Sequence, residues 1–291
     1  MELVRWERHP QLHRPLFLTA FEGWNDAGDA ATQAISYLAE SWGARRFATL
    51  DPEDFFDFTN ARPYTRLTEG HSRVIDWPTL ELLSASVPGI NRDVILLRGI
   101  EPQLRWRTFC DTVVGVVRAL GAEMAIGLGA LLADVPHTRP VRVTGSTEDD
   151  TLALRLGLVR STYEGPTGIL GVLHHTCHQA GLPSASFWAA VPHYVHQIPS
   201  PKAALALVER SAEVLGVRVN PLELRVAAEE YERQVSERVD DDEEAAAYVT
   251  SLEAAEDELP GYDEAVPLSA GDATILTDEV EQFLREHRSD G

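Results

Sequence analysis

Short runs of apolar, β-branched residues alternate with stretches of helical spacing over the first 220 positions, and the alternation stops near Pro221. The run Leu16-Phe17-Leu18-Thr19-Ala20-Phe21, entered from Pro15, has the pattern of a buried strand. The turn Glu22-Gly23-Trp24-Asn25-Asp26-Ala27-Gly28 then leads into an Ala-rich helix over 29–42. A second strand is predicted over 46–50, and 72–77 alternates like a half-exposed strand. Residues 93–99, a continuous apolar run closing on Gly99, carry the signature of a central parallel strand. Apolar residues three and four apart predict a helix over 104–120, followed by strands at 123–129 and 141–143. Gly165-Pro166-Thr167-Gly168 opens a helix running to Gly181, residues 184–191 return to the sheet, and a helix over 202–215 closes the body. Strand and helix alternating at this spacing predict an α/β fold with a mainly parallel sheet and helices on both faces.

Past Pro221 the pattern becomes amphipathic and helical, over 222–239 and 243–256. The intervening Asp240-Asp241-Asp242 can cap the second helix. Leu259-Pro260-Gly261-Tyr262 breaks the periodicity, residues up to 271 read as a linker, and 273–287 as a last short helix. The chain thus divides into an α/β core domain over 1–220, an acidic helical hairpin over 221–258, and a linker with a short terminal helix over 259–291.

Charge sharpens this division. Of the formal net charge of −21, residues 221–291 hold −17, from 22 acidic and 5 basic side chains, so the body is close to neutral. An acidic tail of this kind repels nucleic acid and anionic membrane, and neither is expected as a partner. No apolar run reaches the roughly 20 residues of a membrane span, and the charged first ten residues lack the apolar stretch of a signal peptide. The two cysteines, Cys110 and Cys177, sit in apolar helical patterns, which predicts buried thiols in a reducing compartment. A cytoplasmic location is expected.

Chemistry-bearing residues cluster just after the strands, where open α/β sheets place ligands. Asn25 and Asp26 would line a pocket at a helix start; equally, Asp26 or Asp29 would serve as a helix cap. Asp134, His137 and Arg139 lie on one loop, where Asp134 and His137 could form an acid/base pair or hydrogen-bond within the loop. Gly165, Thr167 and Gly168 offer backbone N–H groups to an anion at a helix start, but the lysine of a P-loop and the G-x-G-x-x-G spacing are absent. His193 and Lys202 could face the same crevice, or the prolines between them could simply stiffen a crossover. His174-His175-Thr176-Cys177-His178 lacks the glutamate of the H-E-x-x-H zinc motif, and no metal or other cofactor is expected.

Four segments taken in order carry a resemblance: Phe21-Glu22-Gly23-Trp24-Asn25-Asp26-Ala27-Gly28, residues 129–140, Tyr163-Glu164-Gly165-Pro166-Thr167-Gly168-Ile169, and Pro192-His193-Tyr194 with Pro199-Ser200-Pro201-Lys202-Ala203. Together they resemble the proteasome-assembly-chaperone family of bacterial and archaeal proteins, over roughly 15–215. The acidic hairpin is similar to that of the actinobacterial members with a helical C-terminal extension. The resemblance implies a three-layer α/β sandwich like that of nucleoside phosphorylases and related hydrolases, a homo-oligomer such as a trimer, and proteasome-related partners. It brings no agreed catalytic residues. Eukaryotic relatives dock through a C-terminal hydrophobic-Tyr-any signature; Arg288-Ser289-Asp290-Gly291 departs from it, so docking of that kind is not expected here. Two functions follow as expectations. One is a homo-oligomeric, protein-binding assembly factor. The other is a small-molecule enzyme or ligand-binding protein, for a nucleoside-like or amide substrate, with its pocket at the strand ends.

Overall fold

The computed structural model describes residues 3–68, 72–158, 160–161 and 163–258. In chain order the first half contains β1 (Val4–Trp6), β2 (Leu16–Glu22), α1 (Ala30–Ser41), β3 (Arg45–Leu50), α2 (Pro52–Phe55), β4 (Tyr64–Leu67), β5 (Arg73–Asp76), β6 (Leu80–Ser86), β7 (Asp93–Ile100) and α3 (Trp106–Ala119). The second half contains β8 (Met124–Ala133), β9 (Val143–Thr147), α4 (Asp150–Leu156), α5 (Ile169–Gln179), β10 (Ser184–Pro192), α6 (Pro201–Leu215), α7 (Leu222–Asp240) and α8 (Glu243–Asp257).

Eight strands form one sheet in the order β1-β3-β6-β7-β2-β8-β10-β9. Its centre, β7-β2-β8-β10, is parallel, as continuous apolar runs require when helices cover both faces. Antiparallel pairs extend the centre on both sides, through β6, β3 and β1 on one flank and β9 on the other. Strand β2 shows how the faces are shared. Leu16, Leu18 and Ala20 pack with α1 and α6, whereas Phe17 and Phe21 pack with α3 and α5. The result is a three-layer α/β/α sandwich. Alanines at 30, 31, 34, 203 and 204 lie fully buried where α1 and α6 meet, which lets the two helices approach closely. On the other face, Phe109 of α3 meets Phe21 and Phe55 edge to face, at centroid distances of 5.8 and 5.4 Å.

Some boundaries and strands differ from the sequence pattern. The strand expected at 141–143 runs as β9 over Val143–Thr147, and the helix expected to open at Gly165 begins at Ile169, with Gly165 to Gly168 as an extended entry. Strands β1 and β6 carry no strand signature in the sequence, yet β6 is central to the antiparallel flank. Near the end of β7, the φ of 147° at Gly99 and its closeness to the Thr79 carbonyl leave no room for a side chain.

Helices α7 and α8 form the hairpin, and Asp242 caps α8 by accepting from the Glu244 and Ala245 N–H groups at 2.9 and 3.2 Å. Tyr231, Val235, Val239 and Val249 of the hairpin pack on Tyr194, Val195 and Ile198 beyond β10. Among the described residues no helix is long and apolar enough to cross a membrane. The expected linker and terminal helix over 259–291, with the Arg288-Ser289-Asp290-Gly291 ending, lie outside the described residues.

Candidate functional site

The strand ends converge on a residue that the sequence pattern did not single out. Glu101 leaves the end of β7, and its carboxylate accepts from the Ile169 N–H at 2.8 Å and from the Asn25 side-chain amide at 3.1 Å. The Trp24 N–H also bonds to it. Burial raises the Glu101 pKa, and these three donors pull it back. The anion site expected at the start of α5 is therefore filled by the chain's own carboxylate, which satisfies the first free N–H of that helix and complements its dipole. Asn25 is locked in turn. Its carbonyl accepts from the Ala130 N–H at 2.8 Å, and any side chain at position 168 would overlap its amide, so only glycine fits there. Replacing Glu101 with alanine leaves three donors without their acceptor. The expected loss is about 2 kcal/mol in unfolding free energy, read by urea denaturation, and Glu101→Gln should recover part of it.

Beside this knot lies a cavity of about 330 Å3. It lies between α5 with its entry segment on one side and β8, β9 and β10 on the other. Glycines open it further. Gly129 of β8 allows the six-membered ring of Trp188 to lie against the strand, and Gly127 admits the Leu170 side chain. The sheet wall carries hydroxyl groups in a row. Ser146 and Ser186 are 3.1 Å apart, and the Trp188 indole N–H donates to Ser186 at 3.2 Å. His174 of α5 faces the same space, and burial lowers its pKa, which keeps it neutral near pH 7.

The nine residues picked out by sequence fall into separate places. Asn25, Thr167 and Gly168 line the cavity, and Gly165 adjoins it in the entry to α5, packed against the Tyr163 ring. Asp26 turns away to cap α1, where one oxygen accepts from the Ala31 and Thr32 N–H groups at 2.7 and 3.2 Å and the other from the Thr32 hydroxyl. Asp134, His137 and Lys202 lie beneath the hairpin instead. Tyr248 donates to Asp134 at 3.0 Å. His137 Nδ1 meets the Tyr194 hydroxyl at 2.7 Å, and its Nε2 meets Ser236 of α7 at 3.0 Å. Lys202 donates to the His137 carbonyl at 2.5 Å and to Glu232 of α7. His193 is exposed and stacks on His196 with ring centroids 5.9 Å apart. Only a water-sized void of about 10 Å3 remains between His137, Lys202 and the hairpin.

This geometry sets what the groups can do. Burial, then the Lys202 charge, lowers the His137 pKa, and both ring nitrogens are already engaged, so it acts as an anchor for the hairpin. Asp134 and His137 bond to different partners and make no acid/base pair. Burial pushes the Cys110 and Cys177 thiols up to about 12, which keeps both protonated and unreactive at neutral pH. Among the described residues, no three His, Cys, Asp or Glu side chains gather in an arrangement able to hold a metal ion. Sequence reasoning missed Glu101, Ser146, Ser186 and Trp188, and weighed His174 only as a metal ligand. Of these only Trp188 carries a signal in the sequence, as an indole beside Phe187 in a strand otherwise rich in Ser and Ala.

Comparison with known proteins places this arrangement in context. The model of the PAC2 family matches residues 20–239. A PAC2 family protein from Streptomyces avermitilis is 48% identical, with a TM-score of 0.76, covering 81% of this chain and 99% of that one. A proteasome-assembly chaperone homologue from Mycobacterium tuberculosis is 46% identical, with a TM-score of 0.74 over 80% of this chain and 99% of its own. Another Mycobacterium tuberculosis protein, of unknown function, is 30% identical with a TM-score of 0.79, covering 88% of each chain. No curated protein matches.

Proposed function

We propose, from the premise that the chain belongs to the PAC2 family, that it works as a protein-binding assembly factor in the cytoplasm and associates with further copies of itself. The observation that carries this reading is the β4–β5 arm. Its two strands pair only with each other and stand clear of the main sheet. Tyr64 is 78% exposed and Leu67 64%, and Ile75 and Trp77 are also exposed. The pairing puts Leu67 and Ile75 on one face of the arm. A two-stranded hairpin is marginal on its own in water, and exposed apolar faces with unpaired strand edges mark sites of association. The arm bears Arg62 and Arg73 besides Arg66, which pairs with Asp76 of the arm itself, whereas residues 222–258 carry 14 acidic and 3 basic side chains, so a second copy of this chain offers a complementary surface. Proteasome-related proteins are the client class, extended from the relative in Mycobacterium tuberculosis that is called a proteasome-assembly chaperone homologue.

Light scattering after size exclusion tests the self-association. The wild-type chain should elute as an oligomer, and Leu67→Asp with Ile75→Asp should weaken association by at least about tenfold while the circular dichroism stays the same. A monomeric wild type, or a variant that associates as before, would sink the arm as the contact. Cross-linking to 20S proteasome subunits of the same organism tests the client class, and an absence of cross-links would remove it.

A further inference from the structure

The cavity beside Asn25 plays no part in self-association through the arm, and its chemistry points elsewhere. Its volume, about 330 Å3, falls in the range of pockets that enclose small molecules. Trp188, Trp24, Leu131 and Leu170 supply flat and apolar walls, and the Thr144, Ser146 and Ser186 hydroxyls stand along β9 and β10. The charged groups at its rim are already engaged. Arg160 pairs with Asp150 at 3.5 Å and donates to the Glu148 carbonyl, and the Glu148 carboxylate faces His178 at 3.7 Å. The inner polar groups are hydroxyls, an amide and an imidazole.

We infer that this cavity binds an uncharged, planar heteroaromatic molecule that bears hydroxyl groups, held by its ring between the Trp188 indole and the Leu170 side of α5 and by its hydroxyl groups along the Thr144–Ser146–Ser186 wall. Indole faces and aliphatic side chains select a flat ring, because each gains contact and loses water without asking for charge. The serine and threonine hydroxyls both donate and accept, so they match sugar or alcohol groups. A dianion such as a phosphate would find Arg160 as the only arginine or lysine among the described lining residues, at the rim and facing Asp150, and would lose its hydration. Nucleosides are the abundant cellular compounds of this description, and adenosine, guanosine and uridine are suitable probes. AMP has the same ring as adenosine with a charged group added.

Isothermal titration of the full chain with these three nucleosides and AMP tests the assignment. At least one nucleoside should bind with a dissociation constant of about 1–100 μM, and AMP should bind at least about tenfold more weakly than adenosine. Ser146→Leu fills the wall and should abolish that binding. Because such a change can perturb the fold, Thr144→Val serves as the milder partner, with an expected loss of about fivefold at an unchanged melting temperature. Quenching of tryptophan fluorescence should accompany binding and shrink in a Trp188→Phe variant. The inference fails if no nucleoside binds, if AMP binds as tightly as adenosine, or if Ser146→Leu and Thr144→Val both bind like the wild type.

Discussion

Replacing Arg142 with alanine is expected to release the α7–α8 hairpin from the body while the sandwich stays folded. Arg142 donates from Nε to Glu256 Oε1 at 2.5 Å, and the Glu256 side chain is only 8% exposed. Truncating the arginine removes this donor from a buried carboxylate. Breaking a buried pair in this way costs about 3–5 kcal/mol, far more than loss of an exposed one. The release is opposed by Tyr231, Val235, Val239 and Val249 and by the packing of α7 along α6. The neighbouring bonds from Arg139 to Asp257 and from Lys202 to Glu232 are more exposed and contribute less. Amide exchange should therefore accelerate by at least about a hundredfold in α7 and α8 and stay unchanged in β2, β7 and β8. Exchange that rises everywhere would show that the hairpin and sandwich unfold as one. Replacing both partners with leucine-sized residues, Arg142→Met with Glu256→Leu, should restore most of the protection, because both charges of the pair are then gone.

That anchoring role explains why the candidate chemistry was only partly legible in the sequence. The central strands could be read directly, since β2, β7 and β8 are buried on both faces and composed of continuous apolar runs. Strand β6 could not, because Leu80, Glu81, Leu82, Leu83 and Ala85 favour helix, and burial between β3 and β7 overrides that preference. Strand β9 was misplaced because Thr144-Gly145-Ser146-Thr147 has the composition of a turn, and with it went half of the cavity's hydroxyl wall. The loop carrying Asp134 and His137 was located correctly after β8. What covers it lies about a hundred residues further along the chain, and no local pattern joins Ser236 or Glu256 to that loop. The acidic character of 221–258 was visible, and the arginines it meets at 139 and 142 were visible too. Their pairing was not, because it depends on how the hairpin folds back over β10.

Asp26 is expected to give the fold a pH dependence in the acid range. Burial pushes its pKa up to about 6 from 3.8, against the opposing pull of the Thr32 hydroxyl and the Thr32 and Ala31 N–H groups. A carboxylate raised in the folded state binds its proton more tightly there than in the unfolded chain. Its contribution is fully present below pH 3.8 and is lost as pH rises through 6. The span corresponds to about 3 kcal/mol. Asp26→Asn keeps an acceptor for the Ala31 and Thr32 N–H groups and removes the titration. The wild type should therefore gain about 3 kcal/mol on the variant between pH 7 and pH 3.5, with about half of that gain by pH 5. The variant comparison is needed because other groups titrate in the same range with the opposite sign. His137 and His174 are held neutral by burial, so their contribution falls as pH drops below 6.5. Both are present in wild type and variant, and they cancel in the difference. Denaturant unfolding of both proteins at half-unit pH steps makes the comparison. A difference that stays flat from pH 7 to 3.5 would mean that Asp26 ionises as easily in the fold as out of it, and that its three donors fully offset 94% burial of the residue.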